Sequence, residues 1–193
     1  MTDYTTIKHI IQTRRTTKPH LMNGKQIPDE QVMDLLSLAN WAPTHGLTQP
    51  WRFKVYAGEK VKAFCFQHVE LFRQNIPAEK FTQEKYDKIR HMGDFASHLV
   101  IAVMERGTLP NIPVLEEIAA ASCAIQNLLL GATAQGIASY WGSGGMAYHS
   151  AMKVLLQLKE EDLVLGILYL GYSDYKMNSR RPLPIEAKVE WVN

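Results

Sequence analysis

Little cysteine, no long apolar stretch at the N-terminus and no excess of one charge sign mark this sequence, and each shortage removes a class of function. Only two cysteines occur in 193 residues, Cys65 and Cys123, both in apolar helical patterns without a second ligand spaced for zinc. Both are expected to be reduced, buried packing residues of a cytoplasmic protein. Asp3, Lys8, Arg14 and Arg15 interrupt the N-terminal segment, so neither a secretory leader nor a membrane span is expected. The 21 basic and 19 acidic side chains leave a formal net charge of +2 and are mixed along the chain, which argues against a nucleic-acid surface.

The usual catalytic signatures are missing too. There is no Gly-x-Ser-x-Gly elbow, and neither cysteine has a loop setting beside a histidine, so nucleophilic hydrolysis lacks its parts. The seven histidines are scattered, with no His-x-x-x-His or Cys-x-x-Cys pair, and no metal site is expected. No glycine fingerprint joins a strand to a helix as a dinucleotide fold requires. Gly142 to Gly145 has neither that spacing nor the lysine of a phosphate loop.

What is present is a chain of 193 residues that is 46% hydrophobic, enough for a full core, without a flexible linker or internal repeat; residues 1–193 read as one domain. Ile7, Ile10 and Ile11 behind Asp3, a candidate N-cap, predict an amphipathic helix over 4–13 that exits at Arg14-Arg15. A second helix follows Pro28, with Asp29 and Glu30 in its first turn, and stops at Pro43. Alternation from Trp51 to Tyr56 predicts a strand, and Val61, Phe64, Cys65, Val69 and Phe72 a helix over 59–74.

The charged span 75–93 reads as a mobile, exposed excursion over a site. The apolar run from His98 to Met104, a long helix over 116–135 that should be buried on most sides, and an extended piece from Ile137 to Trp141 follow. A short helix near 150–158, a strand over 163–171 and a last strand at Lys188 to Val192 complete the order. The alternation of helices and strands is irregular, and pattern alone leaves the choice between an open parallel sheet and an α+β sandwich.

Polar, ligand-facing chemistry concentrates in three places. Arg14-Arg15-Thr16 leaves the first helix. The loop Ala42-Pro43-Thr44-His45-Gly46-Leu47-Thr48-Gln49-Pro50 is bracketed by prolines that stop a helix and start a strand, which makes His45 and Gln49 loop residues on a rigid frame. Trp141-Gly142-Ser143-Gly144 ends in a glycine-dense turn, and Arg180-Arg181 lies in the tail. Arginines, a polar loop and a glycine turn fit a flat cofactor bearing one phosphate better than they fit a triad, because the guanidinium fork suits a phosphate.

In this order the motifs resemble the FMN-dependent nitroreductase family, in its short-chain NAD(P)H nitroreductase branch, over nearly the whole chain. The resemblance implies an α+β three-layer sandwich, a mostly antiparallel sheet flanked by helices, assembled as an intertwined homodimer with FMN at the subunit interface. It implies NADH or NADPH as electron donor and a ping-pong transfer to nitroaromatic, quinone or similar flat acceptors, with the chemistry on the flavin rather than on a catalytic side chain. Another reaction on the same fold, such as dehalogenation or dehydrogenation, and a non-catalytic FMN-binding dimer are the alternatives.

Carried over by position, the resemblance assigns Arg14, Arg15 and Thr16 to the FMN phosphate and ribityl chain, and His45 to a reach across from the partner subunit. It places Gln49 near the ribityl or phosphate end, the backbone of Trp141, Gly142 and Ser143 at the flavin ring, and one of Arg180 and Arg181 at the phosphate. The resemblance also shows two departures, Trp41 and Gly142 standing where the family pattern has arginine, which implies less positive charge near the cofactor.

Overall fold

A computed structural model describes residues 2–175, 178 and 181–192. Four strands form one antiparallel sheet in the order β1-β2-β4-β3: β1 is Trp51–Ala57, β2 His98–Met104, β3 Ala138–Gly142 and β4 Leu163–Gly171. Six α-helices accompany it among the described residues: α1 (Asp3–Thr13), α2 (Asp29–Ala39), α3 (Glu59–Asn75), α4 (Gln83–Arg90), α5 (Val114–Ala134) and α6 (Ser150–Leu156). The antiparallel pairing resolves the choice that pattern left open, in favour of the α+β sandwich.

β2 is apolar at almost every position because both of its faces are covered. Val100, Ala102 and Met104 point to a core built with α2 and α5, where Leu35, Ala124, Ile125 and Leu128 are fully buried. Leu99, Ile101 and Val103 point to a second core with α3 and α6, around Phe64, Cys65, Met152 and Leu156. Two cores on opposite faces of one sheet make three layers. The β2–β4 register slips between Ala102 and Val103. There Gly166 takes φ +155°, and a Cβ on it would lie 2.1 Å from the Trp141 indole nitrogen, so the bulge needs glycine.

The start of α2 is tied to β2 by a short polar chain. The Ser97 hydroxyl accepts the Ile27 N–H at 2.7 Å and donates to His98 Nδ1 at 2.9 Å, while His98 Nε2 donates to Asp29 at 2.9 Å. This satisfies a histidine that is only 2% exposed.

Several expectations need correction. Thr2, not Asp3, caps α1, its hydroxyl accepting the Thr5 N–H at 3.3 Å. The span 75–93 is no loose excursion: it carries α4, capped by Thr82 and packed on α3 through Phe81 against Phe72 and a Tyr86 hydroxyl donated to Glu70 at 2.9 Å. α5 starts two residues earlier and buries one side only, leaving Leu115, Ala119, Cys123 and Gln126 on an open face, so Cys123 is exposed while Cys65 is buried as expected. α5 is long and apolar enough to span a membrane, yet its apolar positions serve the core between α2 and the sheet. No strand forms at 188–192; Ile185–Lys188 is a 3-10 turn and residues 189–192 are irregular.

Candidate functional site

The α1 helix ends at Arg14, whose backbone N–H closes the last turn on Ile10, and the chain then extends alongside β3. Thr16 forms a parallel bridge to Ser139, and the Thr17 N–H donates to the Ser139 carbonyl at 2.9 Å. This pairing sets the arginine segment beside the strand that leads into the glycine turn. A recess of about 200 Å³ opens at the junction, lined by Arg14, Thr16, Gln126, Leu129, Ser139 and Trp141.

The two helix-exit arginines differ in what they do. Arg15 folds back on its own helix, donating to the carbonyls of Arg14 and Gln12 at 2.5 Å each, and so caps the C-terminus of α1. Among the described residues, no carboxylate pairs with Arg14. Burial, then the repulsion of Arg15 and Arg181, pushes the Arg14 guanidinium below the ordinary arginine range. A half-buried cation crowded by like charges is the electrostatic signature of a site that expects an anion. Arg181 is thereby placed with Arg14, whereas Arg180 lies outside the described residues.

Trp141 and Gly142 face opposite sides of the sheet, as consecutive strand residues must. Trp141 lies in the Arg14 recess, and its indole N–H donates to the Leu165 carbonyl at 3.0 Å across the bulge at Gly166. Gly142 lies in a larger cavity of about 410 Å³ between α3, α4 and the sheet. A Cβ on Gly142 would sit 2.5 Å from the Tyr140 ring. The turn after it, Ser143 to Gly145, is exposed, and Gly145 has φ +65°. Small residues here let the backbone itself form the wall.

That cavity contains residues that sequence reasoning did not foresee: His68 and Phe72 from α3, Lys85, Lys88 and Ile89 from α4, and Tyr140 from β3. A neighbouring recess of about 320 Å³ shares Tyr140, Lys88 and Met92 with it and adds Lys18, His20 and His91. The rim is basic, and among the described residues neither lining contains a carboxylate. The signal available in the sequence was the three-residue spacing of Lys85 and Lys88, which puts both on one face of a helix that the charged span concealed.

The loop residues His45 and Gln49 are not in this neighbourhood. His45 pairs through Nδ1 with the Glu116 carboxylate at 2.6 Å, at the first turn of α5, and a 3-10 turn His45–Leu47 carries it. Gln49 is exposed with φ +43°, its backbone N–H held by the Thr44 hydroxyl at 3.2 Å. Ten residues of α5 separate Glu116 from Gln126 in the Arg14 recess, or about 15 Å of helix rise. One chain therefore brings together Arg14, Thr16, Trp141 and Arg181, puts Gly142 at the end of the same strand but on its opposite face with Ser143 following in the exposed turn, and leaves His45 and Gln49 at the far end of α5.

The sequence profile of the Nitroreductase family matches residues 11–172. The Bacillus subtilis protein YfhC, provisionally named an NAD(P)H nitroreductase, is 26% identical over 186 residues, which is 96% of this chain and 93% of YfhC. A nitroreductase-like family protein from Bacillus cereus has a crystal structure that superposes with a TM-score of 0.82 at 27% identity, covering 100% of this chain and 98% of that one. The FMN-dependent nitroreductase NfnB from Mycobacterium smegmatis, solved in complex with NADPH, shares the fold at a TM-score of 0.73 and 17% identity, over 99% of this chain and 100% of NfnB. With the matched segment running from the end of α1 through β4, the chain belongs to the nitroreductase family.

Proposed function

We propose that this chain is an FMN-dependent oxidoreductase that draws reducing equivalents from NADH or NADPH and delivers them to nitroaromatics, quinones or similar flat acceptors. The observation that carries the reading is Arg14: a half-buried guanidinium without a carboxylate partner among the described residues, crowded by Arg15 and Arg181, beside a strand that ends in a glycine turn. The residues present fit FMN. A dianionic phosphate answers the cationic cluster, and a turn without side chains admits a flat ring to within hydrogen-bond reach of its backbone N–H groups. The names of YfhC and NfnB, and the NADPH held by NfnB, support the choice of cofactor and donor.

In this reading Arg14, Thr16 and Arg181 hold the phosphate and ribityl end, and the backbone of Trp141, Gly142 and Ser143 borders the ring. Arg15 contributes charge, while its hydrogen bonds serve the helix end. Bound FMN supplies the two-electron chemistry; the protein binds, orients and tunes it. Donor and acceptor then use one site in turn, the ping-pong pattern. The basic rim of Lys18, Lys85, Lys88 and His91 suits the phosphates of a dinucleotide donor.

The working unit of this proposal is a homodimer in the cytoplasm, where the two thiols stay reduced. Tyr4, Ile7 and Ile11 of α1, with Trp41, Leu47 and Leu115, leave more apolar surface open than an isolated chain needs. A two-fold pairing that covers it also offers a way to bring His45 and Gln49 of the partner subunit to the Arg14 end of α5. Purified protein loaded with FMN should oxidise NADH or NADPH with benzoquinone or a nitrobenzoate as acceptor, giving parallel double-reciprocal lines. Bound FMN that neither dinucleotide reduces would leave a flavin-binding dimer and overturn the oxidoreductase reading.

A further inference from the structure

His68 sits in the middle of α3 with only 3% of its surface exposed, one turn after Phe64, whose ring centroid is 6.0 Å away. Its Nε2 accepts the backbone N–H of Met146 at 2.9 Å. An accepting Nε2 fixes the neutral tautomer that carries its proton on Nδ1. That Nδ1 is buried and has no hydrogen-bond partner among the described residues. A phenylalanine or leucine would continue the apolar face of α3 without leaving a buried donor unmet, so the ring is a liability to the core unless the bond to Met146 matters.

The bond lands on Met146, the residue that directly follows the glycine turn. Gly145, at φ +65°, packs so closely on the imidazole that a Cβ there would lie 2.6 Å from Nε2. His68, Gly142, Gly144 and Gly145 all line the 410 Å³ cavity. We propose that His68 is a positioning residue for the cofactor: by holding the Met146 amide it fixes the path of the Gly142–Gly145 backbone that borders the flavin ring. This rests on the function proposed above, which assigns that turn to the ring.

Burial pushes the His68 imidazole down to about 4, so it remains a neutral acceptor throughout the neutral range. Facing the same cavity are Lys85 and Lys88 from α4, Tyr140 from β3 and Tyr169 from β4, with no carboxylate among the described residues to favour protonation. Histidine here works as a fixed hydrogen-bond acceptor inside an apolar layer, not as a proton carrier.

The test compares His68→Gln, whose Oε1 can accept in place of Nε2, with His68→Phe, which keeps a ring and removes the acceptor. Gly145→Ala pushes the same turn off the imidazole without touching α3. In the apoprotein, exchange of the Met146 amide should quicken about tenfold in His68→Phe and stay near wild type in His68→Gln. FMN affinity, read from quenching of flavin fluorescence, should fall about tenfold in His68→Phe and in Gly145→Ala, and be restored within about twofold by glutamine. Wild-type affinity in His68→Phe, or an equal loss in phenylalanine and glutamine variants, would overturn the proposal. Should His68→Phe not fold, wild-type affinity in Gly145→Ala overturns it as well. Failure of the wild type to take up FMN would instead refute the function itself, while the exchange data would still decide whether His68 holds Met146.

Discussion

Replacing Glu117 by glutamine changes one atom, yet it should be among the most damaging single substitutions outside the cofactor site. The Glu117 side chain is 0% exposed and pairs with Arg106, itself 19% exposed. Its Oε1 accepts the Gly107 N–H at 3.1 Å, its Oε2 accepts the Arg106 Nη1, and the Arg106 Nη2 reaches the Ile112 carbonyl at 2.7 Å. Every hydrogen-bond partner of the carboxylate among the described residues is a donor, so the amide nitrogen of glutamine must face a donor whichever way it is turned. The fit leaves no room to shift, since a Cβ on Gly107 would lie 2.6 Å from Oε1.

Breaking a buried pair from one side costs about 3–5 kcal/mol. The partial exposure of Arg106 lets water recover some of it, which favours the lower end, about 3 kcal/mol. For a chain of this size that is a fall in Tm of roughly 6–12 °C. Urea unfolding of Glu117→Gln, Arg106→Leu and the double variant Arg106→Leu/Glu117→Leu measures it. The double variant should be less destabilised than either single one, because apolar replacement of both partners leaves no charge stranded. A loss below about 1 kcal/mol in Glu117→Gln would show that the pair is hydrated in solution and refute the reasoning.

Three further outcomes follow from the geometry. Arg14→Ala should weaken FMN binding about 10–100-fold, the worth of charge-assisted bonds to a phosphate. Trp51→Phe, which removes a 3.1 Å bond to Asn40 at a position that does not line that recess, should leave FMN content near wild type; equal content in the two purified variants would take Arg14 out of the site. His68, lowered from 6.5 to about 4, binds its proton in the unfolded chain before the folded one, so stability is full above 6.5 and is lost as pH falls toward 4. Between pH 7 and pH 5 the loss assignable to this group is about 2 kcal/mol, to be read as the difference in urea stability between wild type and His68→Gln; parallel curves would contradict it. Cys65 is held up to about 11 by burial, despite the Tyr169 hydroxyl 4.0 Å away, so in a Cys123→Ser variant a disulfide reagent should find no reactive thiol until the protein unfolds.

The strands were legible because their chemistry is local. Leu163–Gly171 and His98–Met104 are apolar runs of strand length between breakers, and both lie where periodicity places them. Their antiparallel order was not, since pairing across 60 residues leaves no mark in either strand. α4 was hidden for the opposite reason: its surface is nearly all Lys, Glu, Gln and Asp, and its anchoring to α3 rests on Phe81 and on Tyr86 meeting Glu70, contacts between segments. Cys123 sits on the α5 face that one chain leaves open, which helical periodicity alone does not separate from the buried face beside it.

At the site, the two arginines after α1 look alike in sequence, and only the structure separates the cap, Arg15, from the crowded cation, Arg14. The glycine turn was legible as a turn. The cavity behind it was not, because His68, Lys85, Tyr140 and Tyr169 converge from four elements spread over 100 residues.

The most direct test of the central claim is the visible absorption spectrum of the purified protein after incubation with excess FMN and removal of the unbound fraction, followed by denaturation and chromatography of what is released. The account predicts a flavin spectrum, about one FMN released per chain, and loss of most of it in Arg14→Ala. A protein that remains colourless, and releases no FMN, would contradict it.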